Sequence, residues 1–189
     1  MATGLIRNVF KTVMDVDLQE TFLELSYYDA LEQYGSDKPD TRFGMELQEI
    51  AGYVEQSDFN AFKSVLEKGG RVKGLVCPNG DSYSRKIIDE LTELMKTYYG
   101  AKGLAWMKCK EGKLDGGISK FFSETVQQLM MDDLKINDGD VLFMIGDDAS
   151  VVWQGLGALR LELAKRENLI DHSQWAPLWV VDFPLVDWN

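Results

Sequence analysis

The chain has 189 residues and a formal net charge of −11 at pH 7. That acidic balance excludes a general nucleic-acid coat, which needs a basic face, but leaves room for a local basic patch. Hydrophobic residues make up 45% of the sequence, with five Trp, nine Phe and seven Tyr, so there is ample apolar surface for a packed core and the chain is not a disordered one.

The length suits one large domain or two small ones, and no internal repeat is visible. The two cysteines, Cys77 and Cys109, match neither a zinc spacing nor a disulfide framework, which points to a reducing, cytoplasmic compartment. No apolar run is long enough to suggest a membrane span or a signal peptide. His172 is the single histidine. Beside Asp171 and Ser173 it reads as an exposed loop residue, and any triad or His-based metal site must do without a second imidazole.

In chain order, residues 5–13 place Leu5, Ile6, Val9, Phe10 and Val13 on one helical face. Residues 22–25 read as a short strand. Ser26 is an N-cap with Asp29 three positions on, and the helix it starts runs to Tyr34 and stops at Gly35. Residues 43–47 resume an extended path. Phe59, Phe62, Val65 and Leu66 mark a short helix ending at Gly69-Gly70, followed by a strand over 72–76 and a turn at 78–81. Ser84 caps a helix whose apolar set is Ile87, Ile88, Leu91, Leu94, Met95 and Tyr98, with Gly100 just past its end. A strand covers 104–107, and the polar, glycine-rich stretch 110–117 reads as a mobile loop. Ser123 caps a helix with Val126, Leu129 and Met130 inward. Residues 137–140 turn into the most apolar strand, 141–145. Asp147 or Asp148 caps the last long helix, in which Val152, Leu156, Leu159 and Leu163 share a face. Residues 178–183 read as a buried strand closed by Pro184. This order of elements is α+β, without the regular strand–helix repeats of a doubly wound sheet.

Three features bear on chemistry. The stretch 34–44, YGSDKPDTRFG, combines a helix-closing Gly35, a φ-fixing Pro39 and the turn residues Ser36, Asp37 and Asp40 with the cations Lys38 and Arg42. It reads either as a capped helix exit or as a rigid polar loop beside a ligand pocket. Gly155 and Gly157 imitate a dinucleotide fingerprint but lie inside a helix, where small residues serve close packing instead. Lys63, Lys68, Arg71 and Lys73 fall within eleven residues, and Lys102, Lys108, Lys110 and Lys113 form a second group. If the strands at 72–76 and 104–107 pair, the two groups merge into one patch, which is either a solvated face or a phosphate contact. Residues 133–140 resemble a calcium loop in composition only, so no metal site is expected.

Read together, YGSDKPDTRFG at 34–44, YYGAKGLAWMK at 98–108, and GALRLELAKRENLID with WAPLWVVDFPLVDW over 157–171 and 175–188 resemble the bacterial-type aspartyl-tRNA synthetases. The likeness covers nearly the whole chain. It departs at Val186-Asp187, where the family usually has an aromatic residue and Glu. The resemblance implies a two-layer insertion domain of the GAD type over 48–171, a small mixed sheet with helices on one side. The segments 1–47 and 172–189 would be pieces of a class II antiparallel catalytic sheet.

It further implies a parent enzyme that activates aspartate with ATP and Mg²⁺ and transfers it to tRNA, working as a cytoplasmic homodimer. The family's motifs that grip ATP are absent, so the chain is expected to hold no catalytic residue, cofactor or metal of its own. In the intact enzyme Ser36, Asp37, Lys38 and Asp40 would border the entrance for the amino acid or the tRNA acceptor end, with Arg42 and Asp182 at the sheet's edges. Lys63, Lys68, Arg71, Lys73, Lys102 and Lys108 would be RNA contacts. Exposed sheet-edge residues such as Trp179 and Val181 would favour self-association. A GAD-type module of a tRNA-dependent amidotransferase B subunit and an acidic interaction domain without RNA contact are the alternatives.

Overall fold

The computed structural model of the chain describes residues 2–186. Its centre is strand β6 (Val141–Asp147), where every residue is buried. Successive side chains of a strand point to opposite faces, so a wholly apolar run needs cover on both. Val141, Phe143 and Ile145 enter one core and Leu142 and Met144 the other. All five are fully buried, each contributing about 1.5–3 kcal/mol relative to exposure.

Strands β3 (Arg71–Cys77) and β4 (Ala105–Lys110) flank β6, both antiparallel to it. The short β2 (Gln48–Glu49) lies outside β3 and β5 (Lys113–Asp115) outside β4, giving the order β2-β3-β6-β4-β5. Helices α5 (Arg85–Tyr99) and α7 (Ala149–Arg166) cover one face. The shorter α3 (Ala51–Glu55) and α4 (Asn60–Glu67) cover the other with α6 (Glu124–Leu134).

The α+β class is as expected, but this sheet is antiparallel throughout rather than mixed, and its helices lie on both faces rather than one. The two-sided burial of β6 is the reason. Because β6 sits between them, β3 and β4 do not pair, and the two lysine groups are not merged into one patch along paired strands. The stretch expected to be a mobile loop contains β5, which pairs Lys108↔Asp115 through Lys110↔Lys113 with β4. Tyr98 and Leu129, expected on inward faces, are 73% and 43% exposed.

The helix boundaries follow local chemistry. Ser26, Ser84 and Ser123 each accept a hydrogen bond from the N–H three residues on, and Gly35 and Gly100 close α2 (Tyr27–Tyr34) and α5 in the left-handed conformation at φ 69° and 72°. Asp148 precedes α7 without a side-chain cap bond.

The ends of the chain meet in a separate two-stranded sheet. Strand β1 (Leu23–Ser26) pairs with β7 (Leu178–Val181), Leu23 opposite Leu178 and Ser26 opposite Val181. This pair is parallel, where an antiparallel one was expected; no hairpin joins the strands, so nothing local imposes the antiparallel direction. Helix α1 (Ala2–Met14) packs here. Phe10 meets Trp175 edge-on at 4.9 Å, and Trp179 Nε1 donates to Thr3 Oγ1 at 3.1 Å. Leu5, Val9 and Val13 of α1 stay exposed, as does Val181 at 38%, whereas Trp179 is half-buried.

Candidate functional site

The site is the loop between α2 and β2, together with what holds it. At its start, α2 and α7 touch backbone to backbone. A Cβ on Gly35 would lie 2.2 Å from Trp153 O and 2.7 Å from Gly157 Cα, and one on Gly157 would lie 2.6 Å from Gly35 O. The glycines of α7 thus serve close packing.

Within the loop, Ser36 Oγ accepts from the Lys38 N–H at 3.2 Å and Asp40 Oδ1 from the Arg42 N–H at 3.0 Å. The Arg42 guanidinium grips the same carboxylate, Nε to Oδ1 at 2.9 Å and Nη2 to Oδ2 at 2.7 Å. Such two-point pairing is geometrically specific. It holds the Asp40 carboxyl below its ordinary value of 3.8, against the opposing effect of burial.

Arg160 of α7 comes up beneath the loop and is 1% exposed. Its Nε donates to Met45 O at 2.9 Å, and its Nη2 donates to Asp40 O, Phe43 O and Gly44 O at 2.9, 3.0 and 2.8 Å. The guanidinium carbon lies 3.9 Å from the Phe43 ring centroid and 5.0 Å from that of Tyr34. Burial pushes its pKa down to about 10, so it stays cationic at neutral pH. A buried charge is tolerated only with such partners. Met45 adopts φ 65°, rare for a residue with a side chain.

On its outer side the loop forms one wall of a cleft of 350 Å³, with Lys38, Asp40 and Arg42 facing Phe10, Gln174 and Trp175. The cleft therefore lies between residues from the two ends of the chain. Ser36 and Asp37 belong to the loop but not to this lining, and Asp182 stands apart from it, exposed just after β7. Among the described residues no group of three or more His, Cys, Asp or Glu is placed to hold a metal ion, and no helix is long and apolar enough to cross a membrane.

The basic residues scatter. Lys63 Nζ donates to Ser57 O at 2.8 Å. Lys73 is buried and donates to Glu32, at 2.7 Å to the carboxylate and 2.8 Å to the carbonyl, while Arg71 meets the other oxygen of the same carboxylate at 3.1 Å. Lys108 donates to Asp81 O and Tyr83 O, both at 2.7 Å, and burial lowers its pKa. Lys68 and Lys102 do converge. Both line a 260 Å³ cleft with Ser64, Asp147 and Asp148, and Lys102 pairs with Asp147 at 2.9 Å.

Sequence reading missed Arg160, although the signal was present. A cation four residues after Leu156, on the apolar face of α7, must find buried acceptors. It also missed Glu32, the acceptor shared by Arg71 and Lys73.

The family model described as the GAD domain matches residues 62–156. The chain is 44% identical over 185 residues to the aspartate–tRNA(Asp/Asn) ligase of Caldanaerobacter subterraneus, covering 98% of this chain and 31% of the relative. To the aspartate–tRNA ligase of Halalkalibacterium halodurans it is 48% identical over 190 residues, covering 100% of this chain and 32% of the relative. To the aspartate–tRNA(Asp/Asn) ligase of Aquifex aeolicus it is 44% identical over 189 residues, covering 100% and 31%. The chain thus spans about a third of the length of these curated relatives. These are the synthetases that the three quoted stretches resemble. With the match running from α4 through β3, β6 and β4 into α7, the chain belongs to the GAD domain family.

Proposed function

We propose that the chain corresponds to the GAD-bearing third of a bacterial aspartate–tRNA ligase, and that the whole protein activates aspartate with ATP and Mg²⁺ and attaches it to tRNA. The observation that carries this reading is the extent of the likeness. Identity of 44–48% runs over 98–100% of the chain, through both flanking segments as well as the GAD match. The matched relatives are named for that activity.

In this reading the GAD domain occupies 48–171, and the segments 1–47 and 172–189 belong to the catalytic domain. The chain alone is non-catalytic in this reading, because among the described residues no set of arginines and carboxylates converges as a triphosphate site requires. The loop residues Ser36, Asp37, Lys38 and Asp40 border the entrance for aspartate or the acceptor end, with Arg42 beside it and Asp182 farther off, just after β7. Lys68 and Lys102 are the phosphate contacts of the insertion domain. Lys63, Arg71, Lys73 and Lys108 contribute less, being bonded to main-chain carbonyls or to Glu32, whereas the Lys102 side chain stays 76% exposed while paired with Asp147. The whole protein works as a cytoplasmic homodimer, and the chain by itself associates through the outer edges of β1 and β7.

The test is aspartate-dependent charging of tRNA by the full-length protein, with the 189-residue chain assayed beside it. Charging by the former and none by the latter is expected; a full-length protein that charges no tRNA with aspartate refutes the reading. Fluorescence anisotropy with aspartate tRNA across a salt series tests the RNA contact. Binding that weakens with salt and is reduced by K68A and K102A, but not by K73M, is expected; equal binding by all three variants refutes the assignment of Lys68 and Lys102.

A further inference from the structure

The loop over residues 35–47 contains no helix or strand, yet four of its carbonyls, at 40, 43, 44 and 45, bond to one side chain on a helix more than a hundred residues away. Two rings, Tyr34 and Phe43, stack against that guanidinium and shield it. Met45, whose carbonyl takes the Nε bond, sits in the left-handed region, which persists only where the surroundings over-determine it. An aliphatic side chain would leave these four carbonyls without the Arg160 donors. Only a planar fork of donors can fix the direction of several carbonyls at once.

We propose that Arg160 is a positioning residue. By holding the carbonyls of residues 40–45 it sets the direction in which Asp40 and Arg42 face the 350 Å³ cleft, and so couples α7 of the GAD domain to the site formed with the chain's two ends. The clamp acts through the loop backbone. The carbonyl of Asp40 bonds to Arg160 while its carboxylate bonds to Arg42, so one residue is pinned from both sides. What enters the cleft follows from the function proposed above; the coupling itself does not depend on it.

The experiment compares the wild-type chain with R160K and R160M by nuclear magnetic resonance. Amide hydrogen exchange is followed in residues 36–46 and in β6, and the carboxyl carbon of Asp40 is titrated. In both variants the loop amides exchange on the order of tenfold faster or more, as expected on removal of charge-assisted hydrogen bonds from a local opening, while β6 keeps its protection. The Asp40 carboxyl moves up toward 3.8. R160K keeps the charge but lacks the fork, and does not restore either readout. Unchanged loop exchange and titration overturn the proposal. So does a loss of protection shared equally by loop and β6, which is what a purely structural role produces. If neither variant folds, the wild type decides: the Arg160 Nε–H must exchange slowly, and exchange as fast as that of a surface arginine overturns the clamp. These readouts need neither ATP nor tRNA, so they stand or fall apart from the charging assay.

Discussion

Gly157→Ala offers a test of how tightly α7 is docked against the end of α2. In an exposed helix interior, replacing Gly by Ala stabilises by about 0.8–1 kcal/mol, because less backbone entropy is lost on folding. At position 157 the added Cβ would lie 2.6 Å from Gly35 O, 2.9 Å from Gly35 C and 3.0 Å from Tyr34 O. All three are backbone atoms and cannot rotate away. Gly35 is also held by its own N–H bond to Leu31 O at 2.9 Å and by its left-handed conformation. Overpacking costs typically about 1–3 kcal/mol, and contacts this short to unyielding backbone put the site in the upper half of that range, about 2–3 kcal/mol, which leaves a net loss of about 1–2 kcal/mol after the helix gain. For a chain of this size that corresponds to a fall in Tm of about 2–8 °C. Urea denaturation and thermal melts provide the assay, with Gly52→Ala as the control. Gly52 lies in α3 with nothing within 4 Å of its would-be Cβ, so that variant should be more stable than wild type. Opposite signs at the two glycines are the expected result. Stabilisation by Gly157→Ala would refute the backbone contact and with it the account of why the loop starts where it does.

Two further predictions concern titration and reactivity. Asp147 is buried at the end of β6; burial alone would raise its pKa, but the Lys102 ammonium at 2.9 Å and the Asp148 N–H at 3.0 Å hold it below 3.8. Its folded pKa is thus depressed, so its contribution is present above about pH 4 and is lost as pH falls through the folded value. Asp147→Asn should therefore lower the urea midpoint at pH 7 and by a smaller margin near pH 3, and a difference independent of pH would contradict the ion pair. Cys77 is fully buried, and burial pushes its thiol up to about 12. Cys109 is buried against Met131 and its thiol is raised too. A thiol reagent at pH 8 should label neither residue except at the rate of unfolding, and fast stoichiometric labelling of the native chain would show that one of these strand ends is open.

The features legible in the sequence were those decided by a few neighbouring residues. Ser26, Ser84 and Ser123 announce helix starts because the bond each accepts lies three residues away, and Gly35 and Gly100 announce ends because their backbone region is closed to most side chains. The order of the strands was not legible. Placing β6 between β3 and β4 depends on register across the whole domain, although the unbroken apolar run at 141–145 already carried the demand for cover on two faces. The lysine groups show the same limit. Closeness in sequence grouped Lys63, Lys68, Arg71 and Lys73, but the period-two alternation of β3 puts Lys73 on the face of Leu75 and Cys77, where it is buried against Glu32.

The loop at 34–44 shows why local signals reached only half of the site. Gly35, Pro39 and the turn residues explain how the chain bends there, and the Asp40–Arg42 pair follows from their spacing. None of them explains why one bent shape persists rather than several, since a loop without secondary structure has few bonds of its own to select one. That selection comes from Arg160, whose acceptors are backbone carbonyls and therefore leave no trace in side-chain pattern. The same long-range contact ties α7 to the loop before β2. The α2–α7 approach, the Arg160 bonds and the Glu32 pairs with Arg71 and Lys73 all join residues 32–45 to β3 and α7, across the domain boundary proposed at residues 47 and 48. A displacement of β3 and α7 relative to the loop would have to break these contacts together, so while they hold the loop moves with those elements.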